Sequence, residues 1–382
     1  MKKSIVAILL ITLMLTTGSV YGESFDSRAE VGILMEASSG QFLYEKNADT
    51  PLPPASTTKI MTLLLAFEAL ESGDIDWEDT TIVSRNAWSA ETIGSKMYLD
   101  LDQEVTIEDL IYGISIVSAN DATVALAEHL SGSEEAFVQQ MNQRAQELGM
   151  TNTVFKNTSG LPADGHVMSA RDVAILSREL IVNHPDILDI ETQLEFTFND
   201  IRQDNWNRRF LTSFEGANGL KTGWTTESGF SLAGAALRDD RQLISVVMGT
   251  ESESERVAAT SELLSHGFNQ FRPQTVAQKD EVVAEVAVKD GRQQVVPVTV
   301  SQEVEVAVPQ GRENDIELVV AEETLTAPVE EGAVAGQLLV QLDDETLYSV
   351  QLYTAEEVGR ANFIVRGFRG IMNFITGLFN RS

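Results

Sequence analysis

The sequence contains no cysteine among its 382 residues. Disulfides, thiolate zinc sites and cysteine nucleophiles are therefore excluded together. Histidine is also scarce, and none of the four histidines lies in an HExxH or similar ligand spacing. A zinc site would have to gather histidines and carboxylates from distant segments of the chain, so we expect no metal and no other cofactor.

Positive charge is in short supply. The chain has 27 Lys and Arg residues against 58 Asp and Glu residues, which gives a formal net charge of −31. Proteins that bind nucleic acid contact the phosphate backbone through clustered Lys and Arg, whereas this surplus of carboxylates repels it. We therefore expect no nucleic-acid partner.

Apolar runs long enough to cross a bilayer are lacking at the N-terminus. Lys2 and Lys3 precede an apolar stretch over 5–15, and the small residues Val20 and Gly22 follow it. A spanning helix needs about 20 apolar residues. The pattern is typical of a secretory signal peptide over 1–22, so the mature protein is expected to be exported. The alternative is an N-terminal membrane anchor.

Hydrophobic periodicity predicts an α+β domain over 23–272. Alternating residues over 31–46 surround a Ser-Ser-Gly turn, and alternation returns over 229–250. Helical spacing occurs in between and once afterwards, over 57–72, 107–118, 122–130, 133–148, 170–182 and 254–271. This order favours a mainly antiparallel sheet flanked by helices.

The composition changes after Pro273. Residues 273–353 are rich in valine and alternate in short runs separated by turns such as Asp290-Gly291. This pattern predicts a small all-β domain. Because the segment has no histidine and no cluster of catalytic residue types, we interpret it as a structural spacer.

The last segment, 354–382, differs again, because no acidic residue follows Glu357 while arginines recur. Its apolar side chains recur at helical spacing; they are Phe363, Ile364, Phe368, Ile371, Ile375, Leu378 and Phe379. The pattern predicts an amphipathic helix in the membrane interface, with its arginines toward anionic headgroups. A helix docked on the protein's own core is the alternative. With the signal peptide, this predicts a peripheral protein on the outer face of the bacterial cytoplasmic membrane.

A candidate nucleophile and base occur together in Ser56-Thr-Thr-Lys59. Pro53 and Pro54 favour an extended approach, and the helix is expected to begin at or just before Ser56. Positions i and i+3 share a helix face, so the Ser56 hydroxyl and the Lys59 amine can meet. A lysine that is buried near other cations loses its proton more readily and can act as a base.

Two further motifs support this interpretation. Ser118-Ala-Asn120 lies between two helical patterns, which places a hydroxyl and an amide on a turn. Lys221-Thr222-Gly223 precedes a predicted strand and supplies a cation, a hydroxyl and a residue that permits close backbone approach. Each motif is common by chance, but their occurrence together in this order is a strong signal.

With these motifs the chain resembles the low-molecular-mass penicillin-binding proteins of the D-alanyl-D-alanine carboxypeptidase type, relatives of serine β-lactamases. The stretches that begin at Pro54, Ser118, Asn157, Ser169 and Gly219 all look like that family. The layout of signal peptide, catalytic domain, small β domain and amphipathic helix does so as well. The resemblance therefore implies a β-lactamase-like catalytic fold.

The resemblance also implies roles for individual residues. Ser56 would attack the carbonyl of the penultimate D-Ala and form an acyl-enzyme, with Lys59 accepting its proton. Ser118 and Asn120 would relay protons and hold the substrate amide, and Lys221 would support that network and the electrostatics of the pocket.

The resemblance further implies that a second group of residues binds the substrate; they are Lys221, Thr222, Gly223, Trp224 and Arg256. The backbone N–H groups of Ser56 and Trp224 would form the oxyanion hole. The partners implied are a peptidoglycan pentapeptide ending in D-Ala-D-Ala and β-lactam antibiotics as covalent inhibitors. Gly94, Tyr98 and the 152–172 loop are expected to line the site, with His166 as a partly exposed loop residue.

The nearest alternative is a β-lactamase, which commonly uses a Glu in the loop that corresponds to residues 152–172 for deacylation. Between Asn152 and Arg171 the only acidic residue is Asp164. A non-catalytic β-lactam sensor or wall-binding module would tolerate the loss of Lys59 or Lys221, yet all three motifs are complete. A bifunctional transpeptidase would need a longer chain with additional domains.

Overall fold

The structure is a computed structural model that describes residues 25–89 and 94–365. The predicted signal peptide and most of the predicted C-terminal helix lie outside these residues.

A five-stranded antiparallel sheet, in the order β2-β1-β9-β8-β7, forms the centre of the N-terminal part. Its strands are β1 (Val31–Glu36), β2 (Phe42–Lys46), β7 (Ala217–Thr225), β8 (Gly229–Arg238) and β9 (Arg241–Thr250). Two small hairpins lie outside it and consist of β3 (Thr80–Ile82) with β4 (Glu104–Thr106) and β5 (Glu195–Phe198) with β6 (Ile201–Asp204). The predicted antiparallel sheet is confirmed.

Helices cover both faces of this sheet. They are α1 (Lys59–Ser72), α2 (Arg85–Ser89), α3 (Ile107–Ile116), α4 (Asn120–Ser131), α5 (Glu134–Glu147), α6 (Ala170–Asn183), α7 (Ile187–Glu191), α8 (Arg208–Ser213) and α9 (Glu253–Gln270). Alternate residues of β1 point to opposite faces, as the pleat of a strand requires. Ile33 and Met35 pack in the core formed with α1, α3, α4 and α6, whereas Leu34 packs with Leu263 and Leu264 of α9.

Four of the helices begin with the same device. The side-chain oxygens of Thr106, Ser133, Ser169 and Ser252 each accept a hydrogen bond from the backbone N–H three residues later. Such caps satisfy backbone donors that have no partner within the helix, which fixes where α3, α5, α6 and α9 start.

The C-terminal part is all β, as predicted. Its strands are β10 (Phe271–Ala277), β11 (Val282–Lys289), β12 (Val295–Thr299), β13 (Val304–Pro309), β14 (Glu317–Glu322), β15 (Leu325–Thr326), β16 (Val334–Leu342) and β17 (Glu345–Thr354). Six form a sheet in the order β14-β16-β17-β12-β11-β15, and β10 pairs with β13. Valines such as Val286, Val296, Val298 and Val340 are fully buried between them.

The two parts meet at the β1–β2 turn. The Gln41 amide donates to the Ala307 carbonyl oxygen over 2.9 Å and accepts from the Ala307 N–H over 2.8 Å. Close by, the buried Glu36 and Arg241 form an ion pair, and Arg241 also donates to Gly267 and Phe271 carbonyls. The junction between the parts is thus held by directional contacts.

After β17 the chain stays attached to the β domain before a helical turn begins. Val358 bridges Val329, and Arg360 bridges Gly291. Residues 363–365 are helical, and the side chains of Phe363 and Ile364 are 77% and 66% exposed. Within the residues that the structure describes, no helix has the length and hydropathy needed to cross a membrane.

Candidate active site

The predicted nucleophile lies on a tight turn between the sheet and α1. Residues Ala55–Thr58 form a 3-10 helix that continues directly into α1, so Ser56 stands at a helix start, as predicted. Ala55 has a φ of 50°, a left-handed conformation that is strained for a residue with a Cβ. The Thr57 hydroxyl donates to the Pro54 carbonyl oxygen over 2.7 Å and fastens the turn.

Lys59 reaches Ser56 from one turn further along. Its Nζ lies 2.9 Å from Ser56 Oγ, 2.8 Å from Asn120 Oδ1 and 2.6 Å from the Ser159 carbonyl oxygen. The side chain is completely buried. Burial, with the nearby charge of Lys221, holds the pKa of Lys59 well below its ordinary value, while Asp121 acts in the opposite direction. This amine is therefore suited to accept a proton at neutral pH.

The Ser-x-Asn motif occupies the turn between α3 and α4. Ser118 has a left-handed φ of 58°, and its Oγ is buried without a hydrogen-bond partner among the described residues. Asn120 begins α4 and donates its backbone N–H to the Ser95 carbonyl oxygen over 2.8 Å. Strained, unsatisfied groups are costly to keep, and they concentrate where function requires them.

The Lys-Thr-Gly motif lies on the edge strand β7, beside the nucleophile turn. A Cβ on Gly223 would stand 3.0 Å from the Pro54 carbonyl oxygen and 3.4 Å from the Ser56 nitrogen. Glycine thus lets the strand pass close to Ser56. Burial lowers the pKa of Lys221, the charge of Glu191 acts in the opposite direction, and the charge of Arg256 lowers the pKa as well.

These elements border a cleft of about 310 Å³. Arg256 enters it from α9, is almost fully buried, and lies 3.4 Å from the Gly223 carbonyl oxygen through Nη1. Its Nε has no hydrogen-bond partner among the described residues. Trp224 is 55% exposed and borders the cleft. The cleft is lined by Ser56, Ser118, Thr222, Gly223, Trp224 and Arg256.

The expectation for His166 is wrong. It is buried at 3% exposure, and its Nε2 lies 3.1 Å from Thr58 Oγ1 in the nucleophile turn. Burial, with the charge of Lys156, lowers the pKa of His166 to about 4. The prediction failed because the loop around His166 looks polar in sequence, whereas in the fold its ring packs on Phe155 and contacts the nucleophile turn.

The sequence did not single out every residue that meets here. The Ser159 carbonyl oxygen contacts Lys59 directly, although only the surrounding loop was expected nearby. Trp206 and Phe230 also border the cleft. The backbone N–H of Trp206 donates to the Ile116 carbonyl oxygen over 3.2 Å, two residues before Ser118. No pattern in the sequence indicated Trp206, because its position at the cleft depends on how distant segments pack.

Two family matches cover most of the chain. The D-alanyl-D-alanine carboxypeptidase family matches residues 19–252, and the C-terminal domain of penicillin-binding protein 5 matches residues 271–360. D-alanyl-D-alanine carboxypeptidase DacF of Bacillus subtilis is 34% identical over 381 residues, covering 95% of this chain and 96% of the relative. This chain belongs to the D-alanyl-D-alanine carboxypeptidase family.

Solved structures of penicillin-binding proteins have the same fold. Penicillin-binding protein 5 of Haemophilus influenzae superimposes with a TM-score of 0.81 at 34% identity, over 88% of this chain and 99% of that one. Penicillin-binding protein D2 of Listeria monocytogenes, in its ampicillin-bound form, gives a TM-score of 0.58 at 30% identity, over 64% of this chain and 100% of that one. The predicted carboxypeptidase, with its penicillin-binding fold and additional β domain, is confirmed over a β-lactamase.

Proposed function

We propose that this carboxypeptidase removes the terminal D-Ala from peptidoglycan stem peptides through an acyl-enzyme on Ser56. The observation that carries this is the 2.9 Å separation of Lys59 Nζ and Ser56 Oγ inside a buried site. A nucleophile and a base within hydrogen-bond reach are the geometry that acyl transfer requires.

In acylation the neutral Lys59 amine accepts the Ser56 proton as Oγ attacks the penultimate D-Ala carbonyl. The negative charge that develops on the carbonyl oxygen faces the backbone N–H groups of Ser56 and Trp224, each worth about 3 kcal/mol in comparable sites. The peptide C–N bond then breaks, and Lys59 passes the proton that it took from Ser56 through Ser118 to the D-Ala nitrogen, which leaves Lys59 neutral for deacylation. The unpartnered Ser118 Oγ supports this role, since it is free to bond the leaving amine.

Deacylation reverses the sequence with water. Lys59 takes a proton from a water molecule, whose oxygen attacks the ester carbon of the acyl-enzyme. The ester C–O bond breaks, Ser56 regains its proton from Lys59, and the shortened peptide leaves with a new carboxylate. Asn120, which accepts from Lys59 over 2.8 Å, holds the amine in place and presents its amide to the substrate.

The terminal carboxylate of the substrate would bind on the other side of Ser56. Thr222 supplies a hydroxyl and Gly223 an open backbone, while Lys221 and Arg256 supply positive charge. The buried Arg256 Nε without a partner supports this assignment, because a guanidinium has donors arranged for a carboxylate.

The experiment is D-Ala release from diacetyl-Lys-D-Ala-D-Ala by the protein without residues 1–22, beside a Ser56→Ala variant. We expect release that depends on Ser56 and a long-lived adduct with labelled penicillin. A stable adduct without release would mean a sensor, and rapid penicillin turnover would mean a β-lactamase. Absence of any adduct would contradict the assignment of all three motifs.

We propose further that the protein is exported and rests on the outer face of the cytoplasmic membrane through residues 360–382. The exposed apolar side chains of Phe363 and Ile364 at the start of that segment support this. The test compares binding of the full chain and of a chain ending at 359 to phosphatidylglycerol vesicles. Equal binding of both would contradict the attachment, whereas D-Ala release should be unchanged by the truncation.

A further inference from the structure

A buried carboxyl group that the proposed mechanism does not use lies behind the Lys-Thr-Gly strand. Glu191, the last residue of α7, is 0% exposed, and neither carboxyl oxygen has a hydrogen-bond partner among the described residues. The Ser115 hydroxyl on α3 faces it without completing a hydrogen bond of good geometry. A carboxyl held out of water without donors is costly, so a compensating charge is expected close by.

That charge belongs to Lys221. Helix α7 packs on β7, and a Cβ on Gly219 would stand 3.8 Å from the Glu191 Cβ. Lys221 lies two residues further along β7, is 2% exposed, and is the cation whose charge acts on Glu191. Helix α7 thus packs the residue that carries this carboxyl group against the strand that carries Lys221.

The other charges that face Lys221 are both positive. Arg256 approaches from α9 and lowers the pKa of Lys221, while Lys59 on α1 feels the charge of Lys221 in turn. Burial lowers the pKa of Lys221 and raises that of Glu191, whereas the charge of each favours the ionised form of the other. Without Glu191, the Lys221 ammonium would have two cations nearby and no anion facing it from these elements.

We propose that Glu191 is a positioning residue whose carboxylate keeps Lys221 protonated on the alkaline side of neutral pH. The inference rests on the proposed role of Lys221 in the cleft. A charged Lys221 attracts the substrate carboxylate and disfavours protonation of Lys59, so it serves both binding and base strength. Glu191 acts on the reaction only through Lys221.

The direct test is a titration of Lys221 by NMR in protein labelled at the lysine Cε, with the signal assigned from a Lys221→Arg variant. In Glu191→Gln the Lys221 titration should move to lower pH by about one unit or more, because the anion is lost while shape is kept. Glu191→Asp should restore much of the shift. The matched control is Glu36→Gln, another buried carboxyl, which pairs with Arg241 away from the cleft.

The functional test is the pH profile of acylation by labelled penicillin. In Glu191→Gln the decline of the acylation rate at alkaline pH, the alkaline limb of the profile, should occur at lower pH than in the wild type. At a given pH on this limb, the rate should be roughly tenfold lower for each pH unit by which the limb moves. A merely structural role would lower the rate at every pH without moving the limb. Glu36→Gln should keep the wild-type limb.

The results separate this inference from the proposed function. An unmoved Lys221 titration in Glu191→Gln would overturn the inference even if Ser56 is acylated normally. A moved titration without acylation of the wild type would support the pair and overturn the role of the cleft. If neither Glu191 variant folds, titration of the wild type with labelled Glu Cδ decides, because loss of the Lys221 proton before that of Glu191 contradicts the proposal.

Discussion

A Cβ atom on Gly94 would stand 2.6 Å from the amide nitrogen of Asn120. Gly94 also has a φ of 91°, a conformation that L-residues rarely adopt. The backbone of Gly94 therefore packs directly on the Asn120 side chain, which in turn contacts Lys59.

We expect Gly94→Ala to lower the acylation rate by roughly 100-fold, because misplacing a contacting group by about 1 Å has effects of that size. The matched control is Gly73→Ala at the end of α1, where φ is 76° and nothing lies within 4 Å. Both variants should lose about 1 kcal/mol of stability from backbone strain. Equal acylation rates for the two would contradict the role of Gly94.

A second prediction concerns the base. Lys59→Arg keeps a positive charge but replaces an amine that can be neutral with a guanidinium that cannot, so acylation should fall by roughly 1,000-fold. In the wild type the rate should fall as the pH is lowered, because Lys59 becomes protonated, and burial with the charge of Lys221 places that loss well below the ordinary lysine range.

The control for this variant is Lys46→Arg, in which the replaced lysine contacts Asp26 and the Ser27 carbonyl oxygen far from the cleft. Stopped-flow binding of a fluorescent penicillin measures both. Normal acylation by Lys59→Arg would show that another group takes the Ser56 proton.

Much of the site could be predicted because it is local in sequence. Ser56 and Lys59 are one helical turn apart, and Ser118 and Asn120 share a turn, so helix geometry alone brings each pair together. The element types followed from periodicity in the same way, and the helices at 170–182 and 254–271 were predicted to within one residue of α6 and α9.

What could not be predicted comes from long-range packing. His166 contacts Thr58 across 108 positions, and the Ser159 carbonyl contacts Lys59 across 100. Glu191 resembles any surface glutamate in sequence, since its burial depends on how α7 is pressed between α3 and β7. Local sequence patterns do not predict that the loop of His166 contacts the nucleophile turn or that α7 packs on β7.

A third prediction concerns binding of the terminal carboxylate. Arg256→Gln should raise KM for the peptide substrate and reduce kcat/KM roughly tenfold or more, since a charge-assisted hydrogen bond is lost. Arg209→Gln is the control, because Arg209 lies at the surface near the same helix and donates to Ser254. Steady-state kinetics with the peptide decide; an unchanged KM in Arg256→Gln would remove Arg256 from the substrate site.

The last prediction concerns acid stability and follows from His166. Its pKa is lowered from 6.5 to about 4 in the folded protein, chiefly by burial. The unfolded chain therefore binds this proton more readily, and the stability that His166 contributes is present above pH 6.5 and is lost as the pH falls toward 4. Over that window the loss is about 3 kcal/mol at 1.36 kcal/mol per unit.

We expect Glu, Asp and the other histidines to titrate alike in the wild type and in His166→Gln, so the difference between the two isolates His166. Urea unfolding at pH 7 and pH 4 should show a smaller acid loss in His166→Gln. Thr58→Val removes the hydroxyl that contacts His166 and should lower stability at both pH values while keeping most of the pH dependence, because burial is the main cause of the shift. If Thr58→Val abolished the pH dependence instead, the hydrogen bond rather than burial would control this histidine.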